Sequence, residues 1–208
     1  MAADPLKVLA FNCSLKSASA KEKSSTDALL QQLLDELEKL DAHGEVIRAV
    51  DHNIKPGVTS NEGPGDDWPA LRERVMAADI VVIGTPIWLG HPSSVAKRVL
   101  ERMDAFLGET DDKRRMPSYG KVAIAVIVGN EDGAHHSAAE VLAALIELGF
   151  AVPPGGSTYW VGEAMSGKEY KDLLKTPKAV ADWTPLLASN AAHVARLLKG
   201  ANYPGKDG

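Results

Sequence analysis

Residues 80–104 read IVVIGTPIWLGHPSSVAKRVLERMD, and this stretch decides the fold. Ile80, Val81, Val82 and Ile83 form a continuous β-branched run, the pattern of a parallel strand covered on both faces. Gly84 and Pro86 end it, which predicts a strand over 79–85 and a loop over 85–91. The chain then turns amphipathic. Val95, Val99, Met103 and Phe106 share one face of a helix over about 92–107, with Pro92 at its first position. Trp88 and Leu89 fall in the loop. A loop at the carboxyl end of a parallel strand is where open α/β sheets bind ligands. The pair therefore reads as a platform for a flat aromatic ligand; the alternative is a loop folded back onto its own core.

The same alternation extends outward. Residues 6–12, LKVLAFN, read as a first strand, followed by a polar loop. A helix over 25–41 carries Leu29, Leu30, Leu33, Leu34, Leu37 and Leu40 on one face. Ser24 and Asp27 have capping-box spacing at its start, and Gly44 closes its far end. Residues 45–51 alternate like an edge strand, and 52–66, rich in Gly, Pro, Asn and Asp, read as a long loop. A helix over 68–78 leads into the strand at 79–85. After a polar loop at 108–119 come a second apolar strand at 121–128, the turn GNEDG at 129–133 and a helix at 136–148 that Gly149 ends. A short strand at 157–161 and a helix at 178–199 complete the chain. The prediction is one α/β domain over 1–208, a doubly wound five-stranded parallel sheet with helices on both faces.

Composition bounds the function. The chain has 208 residues, 45% of them hydrophobic and 25% charged, an ordinary globular balance that needs neither disulfide nor metal to stabilise a core. A net charge of −5 argues against a nucleic-acid partner. The short basic run Lys113-Arg114-Arg115 follows Asp111 and Asp112 and does not reverse that. Cys13 is the only cysteine, which excludes an internal disulfide and fits a reducing compartment. No apolar run suits a membrane span, and the start MAADPLKVLAFN has no signal-peptide pattern. The expectation is a soluble, cytoplasmic protein with no membrane insertion.

In such a sheet the loops 12–25, 85–91 and 129–135 gather at one edge. The first offers Ser14, Ser17, Ser19, Ser24, Ser25, Thr26 and Lys16 and leads into a helix N-terminus, a phosphate site. The helix dipole contributes about 0.3–1 kcal/mol there. Each hydrogen bond to a charged oxygen adds about 1.5–3 kcal/mol, so the hydroxyls carry more of the binding. The alternative is that Ser24 is only an N-cap and the rest a solvated loop. Neither a G-x-G-x-x-G fingerprint nor a P-loop is present. The second loop supplies a rigid aromatic surface; the third, Gly129 to Gly133, supplies exposed amides and polar side chains. Together they suit a flat heterocycle with a phosphorylated tail.

These residues resemble the NAD(P)H-dependent FMN reductases and quinone reductases of the flavodoxin-like superfamily. TPIWLGHPSSVAKRVLERMD resembles that family's T-P-I-Y-x-G-x-P-S…L-K…D-R segment and is the most specific match. NCSLKSASAKEKSSTDALL resembles its phosphate loop, G-S-x-R…S-N/T…L, with Asn12 and Cys13 in place of small residues. GNEDG resembles its G-G-x-x-G-type turn, and the likeness covers roughly residues 6–150. The resemblance implies a flavodoxin-like sheet of order 2-1-3-4-5 and FMN bound non-covalently. The phosphate would lie against Ser14, Lys16, Ser25 and Thr26. The ring would rest on Pro86, Ile87, Trp88 and Leu89, with its polar edge near Gly129, Asn130, Glu131, Asp132 and Gly133. It further implies NADPH or NADH as co-substrate, a quinone, flavin or similar small-molecule acceptor, and a homodimer or homotetramer. A flavodoxin-type electron carrier, a non-catalytic flavin-binding regulatory module and a phosphate-binding protein without flavin are the rivals.

The chemistry of a flavin needs no side-chain nucleophile, and no metal site is read in the sequence. His91 reads as a helix-start residue. Of His135 and His136, one reads as a cap of the following helix and the other as solvated. Cys13 reads as a small buried residue, and Trp160 and Trp183 as core or interface.

Overall fold

The most apolar runs of the chain line up side by side through its centre. In the computed structural model, which describes residues 4–164 and 166–206, the elements in chain order are as follows. Strand β1 spans Leu6–Asn12, helix α1 Ser25–Glu38, β2 Ala42–Arg48, α2 Trp68–Ala77, β3 Ile80–Trp88 and the short β4 His91–Pro92. Helix α3 spans Ser94–Met103, β5 Val122–Gly129, α4 Ala134–Glu147, β6 Ser157–Val161 and α5 Lys178–Gly200. The sheet order is β2-β1-β3-β5-β6, all parallel, and β4 pairs only with β3. Counting the parallel strands alone, this is the flavodoxin-like order 2-1-3-4-5.

Alternation along the strands explains the two layers. Val81 and Ile83 face Trp68, Leu71, Val99, Met103 and Val141, so α2, α3 and α4 cover one side. Ile80 and Val82 face Leu30, Leu33, Leu187 and Ala191, so α1 and α5 cover the other. Fully burying such side chains stabilises by about 1.5–3 kcal/mol each, which is why the central strands contain almost nothing else. No helix among the described residues is long and apolar enough to cross a membrane.

Several boundaries differ from those the sequence predicts. Helix α1 stops at Glu38 and Gly44 lies inside β2, where an added Cβ would come within 2.5 Å of Val8. Gly44 is thus a close-approach glycine between strands rather than a helix stop. Strand β2 begins at Ala42, earlier than the predicted 45, and Ala49–Asp51 form a 3₁₀ turn. Helix α4 begins at Ala134, so His135 and His136 lie in its first turn and neither is the cap, which is Gly133.

The largest correction concerns 85–91. β3 runs on to Trp88, because β5 keeps pairing with it as far as Pro86 opposite Val128. β1 stops opposite Gly84, so Pro86 falls where β3 has lost one neighbour and a missing donor is tolerated. Trp88 then pairs with His91 across the two residues Leu89 and Gly90, whose φ values are 54° and 81°. Positive φ at both positions is the signature of a type I′ hairpin. Pro92 belongs to this hairpin, and Ser93, accepting from the Ala96 amide at 3.1 Å, caps α3 instead.

Candidate functional site

A cleft opens at the carboxyl ends of β1, β3, β5 and β6. It is lined by Ser14, Leu15, Lys16, Ser24, Ser25 and Thr26 on one side and by Pro86, Ile87 and Trp88 on another. Val128, Gly129, Asn130, Glu131, Trp160, Glu169 and Tyr170 complete it. Ten of the residues predicted for the site therefore meet here: Ser14, Lys16, Ser25, Thr26, Pro86, Ile87, Trp88, Gly129, Asn130 and Glu131. Leu89, Asp132 and Gly133 do not line it. Leu89 projects from the hairpin tip into solvent. Asp132 accepts from the Gly133 amide at 2.7 Å. Gly133 serves packing, since a Cβ there would meet Gly90 at 2.6 Å.

The first loop is folded by its own side chains. Buried Asn12 accepts from the Ser14 amide at 3.0 Å and donates to Asp27 at 2.8 Å, bending the chain as it leaves β1. Arg48 donates to the Lys16 carbonyl at 3.0 Å and pairs with Asp27 at 3.1 Å. Ser24 caps α1, accepting from the Asp27 amide at 3.2 Å. The first turn of a helix leaves backbone N–H groups without intrahelical partners, and here Ser25 and Thr26 sit at that end of the cleft. Ser17 and Ser19 bond to each other, away from the cleft lining.

An anion already sits among these donors. The Glu169 carboxylate accepts from Ser25 Oγ at 3.0 Å and from Lys171 Nζ at 2.6 Å, with Lys16 Nζ at 3.5 Å. Burial pushes the Glu169 carboxyl up, but the hydrogen bonds from Lys171 and Ser25 and the Lys16 charge outweigh this and hold it below the usual range. Glu22, at the solvent side, is held down to about 2 by hydrogen bonds from Lys16 and Lys171. Two lysines and a hydroxyl at the N-terminus of α1 converge on one carboxylate and form a built oxyanion site.

Apart from Asn130 and Glu131, the remainder of the cleft is largely apolar and aromatic. Trp88 is 53% exposed, which leaves a face free for contact. Trp160 and Tyr170 pack at 5.5 Å between ring centroids. Trp160 packs against the core and also lines the cleft; its place at the end of the last strand is the signal that locates it there. Glu169 and Tyr170 lie outside every motif, in the connection between β6 and α5, and only the fold brings them over α1. Tyr170 donates to Gln32 of α1, which anchors that connection.

Three contacts tie the loops together. Ser93 Oγ donates to the Cys13 carbonyl at 2.6 Å, and the Ser93 amide donates to Thr85 Oγ1 at 2.9 Å. Glu131 accepts from the Gly90 amide at 3.3 Å. Cys13 is fully buried and burial pushes its thiol up, so it is a packing residue and not a nucleophile. His135 stacks edge-on against Tyr159 and shares a 2.9 Å hydrogen bond with it.

Residues 6–164 match the family model described as NADPH-dependent FMN reductase. The chain is 34% identical over 212 residues to the 8-demethyl-8-aminoriboflavin-5'-phosphate synthase of Streptomyces davaonensis, covering 95% of this chain and 80% of that protein. It is 39% identical over 173 residues to a divalent metal cation transporter, MntH, of Mycobacterium bovis. That match covers 81% of this chain, and the chain spans only a quarter (25%) of the transporter's length. Among solved structures it resembles RosB with its bound intermediate 8-demethyl-8-formylriboflavin-5'-phosphate, with a TM-score of 0.86 and 33% identity over 97% of this chain and 83% of that one.

Proposed function

The chain belongs to the NADPH-dependent FMN reductase family, and on that premise we propose that it is an FMN-dependent NAD(P)H oxidoreductase. The observation that carries this reading is the division of one cleft into an oxyanion site at the N-terminus of α1 and an aromatic, apolar remainder. That donor set fits a phosphorylated flavin: Ser25, Thr26, Lys16 and Ser14 would hold the phosphate, and Pro86, Ile87, Trp88 and Trp160 would hold the ring. When bound, FMN would supply the redox chemistry, hydride transfer from NADPH or NADH and two-electron reduction of a quinone, flavin or similar acceptor. The chain's own residues bind, orient and shield. Asn130, Glu131 and the backbone of Gly129 supply the polar side of the ring site. The Glu169–Tyr170 segment covers the phosphate end and must release the Ser25 and lysine donors when a phosphate arrives. The location in this reading is the cytoplasm and the assembly a homodimer or homotetramer.

The test is flavin identity and reduction. Purified protein reconstituted with FMN should lose its 450 nm-region absorbance when NADPH or NADH is added without oxygen, and regain it with a quinone. Bound FMN that neither nicotinamide reduces points instead to an electron carrier or a non-catalytic flavin-binding module. Failure to bind FMN at all sinks the proposal.

A second reading takes FMN as substrate. It is favoured by the likeness over 95% of the chain to the synthase, whose name describes a change at the flavin's 8-position. Mass spectrometry of the flavin after turnover separates the two readings. An oxidoreductase returns FMN unchanged in mass, whereas a modifying enzyme does not.

A further inference from the structure

Two histidines and a glutamate meet on the surface beside the hairpin that carries Trp88. His91 opens β4, and His136 and Glu140 stand one turn apart on α4. His91 Nδ1 lies 2.8 Å from Glu140 Oε1, and His136 Nε2 lies 2.7 Å from the same oxygen. The two ring nitrogens are 3.2 Å from each other. The rings cross at 82° with centroids 4.7 Å apart, so they meet through nitrogen-bearing edges rather than by stacking.

Hydrogen bonding explains only part of this triangle. If both rings donate to the carboxylate oxygen, its lone pairs satisfy both N–H groups, but the two donor nitrogens are then held 3.2 Å apart with no hydrogen bond between them. A cation accepts all three lone pairs at once. At the ~2.0–2.2 Å of metal–imidazole and metal–carboxylate bonds, an ion touches the three atoms from just above their plane. Imidazole with carboxylate suits zinc, cobalt, nickel or copper more than magnesium or calcium, which take oxygen ligands. All three side chains are about half exposed (56%, 58% and 43%), so the remaining coordination positions face water.

We propose that His91, His136 and Glu140 form a site for a divalent transition-metal ion of the zinc type, with water completing its coordination. The ion joins the β3–β4 hairpin to α4. These elements already touch where Ser137 of α4 donates to the Gly90 carbonyl at 3.4 Å and where Gly133, the cap of α4, packs on Gly90. The metal therefore braces the hairpin whose other strand presents Trp88 to the cleft. None of the three ligands lines the cleft, so the site is independent of FMN.

The experiment uses untagged, full-length, chelator-treated protein titrated with Co²⁺ by visible absorption and with Zn²⁺ by calorimetry. One ion per chain is expected, with visible bands of a nitrogen- and oxygen-ligated cobalt. His91→Ala and His136→Ala should each weaken binding about tenfold or more, and Glu140→Gln should weaken it while keeping the fold by circular dichroism. His135→Ala, whose ring turns to Tyr159, should bind as before. Overturning results are wild-type protein that takes up no cobalt, or uptake that the His91, His136 and Glu140 variants leave unchanged. Loss of binding in His135→Ala also overturns the site.

Discussion

Trp88 and Glu169 divide the cleft's residue-scale energetics. Trp88 is half exposed and contributes to the cleft rather than to the core. Trp88→Ala should weaken FMN by about 0.5–1.5 kcal/mol, the range of aromatic contacts beyond area burial, with the melting temperature of the FMN-free protein unchanged; fluorescence titration of FMN checks the first and a thermal melt the second. Ser25→Ala combined with Thr26→Ala should weaken FMN far more than riboflavin, because each lost bond to a charged oxygen costs about 1.5–3 kcal/mol. Equal losses for both ligands would show that the first loop holds no phosphate. Glu169 competes with a phosphate for Ser25, Lys16 and Lys171. Glu169→Gln should therefore tighten FMN and leave riboflavin alone. Because its carboxyl titrates below the usual range, the competition persists at neutral pH and fades only as pH falls through that lowered value. The hydroxyls and Trp88 were legible in the sequence because their types fit a phosphate and a ring. Glu169 and Tyr170 were not, because nothing local marks a residue that arrives over α1 from another part of the chain.

At the scale of elements, the connection 52–66 shows how an irregular segment is held. The Asp66 side chain, fully covered although the residue as a whole is only half-buried, accepts from the amides of Glu62, Trp68 and Lys55 and pairs with buried Arg102 at 2.7 Å. Arg102 also donates to the Lys55 carbonyl and lies over the Trp68 ring at 5.9 Å. Burial pushes the Asp66 carboxyl up, yet the three amides and the guanidinium hold it below its ordinary value. The folded state thus binds that proton more weakly than the unfolded chain. The resulting stability is complete above the unfolded carboxyl's ~3.9 and is lost as pH falls through the lower folded value. Asp66→Asn should cost about 3–5 kcal/mol, since it leaves a buried guanidinium uncompensated; urea unfolding at neutral pH measures it. The composition of 52–66 announced a loop but not its anchor, which lies 36 residues away on α3. The hairpin at Trp88–His91 was missed for a related reason. A type I′ turn is normally announced by Asn-Gly or Asp-Gly, and Leu89 holds positive φ here without that signal.

At the scale of the whole molecule, ligand and assembly act on the same fold. FMN at about a hundred times its Kd should stabilise the native state by about 2.7 kcal/mol, raising the melting temperature by several degrees for a chain of this size. Strand β6 is an edge, and Tyr159, Val161, Trp183 and Leu186 leave apolar surface exposed on it and on neighbouring α5. The proposed homodimer or homotetramer predicts a sedimentation mass at a multiple of 22.1 kDa, and Trp183→Asp at that edge should shift it toward the monomer.

The sequence by itself determined the sheet, its two layers and the chemistry of its loops. A short β-branched run such as 80–83, flanked by Gly84 and Pro86, reads as a buried strand, and hydroxyls at a helix start are local facts. Tertiary structure alone decided what closes those loops: Glu169 among the lysines, Ser93 tying two loops, and His91 beside His136 and Glu140. Glu169 and Lys171, and His136 and Glu140, are neighbours along the chain, but Lys16 and Ser25, Cys13 and His91 come from distant segments, and only the crossovers of the sheet bring them within bonding distance.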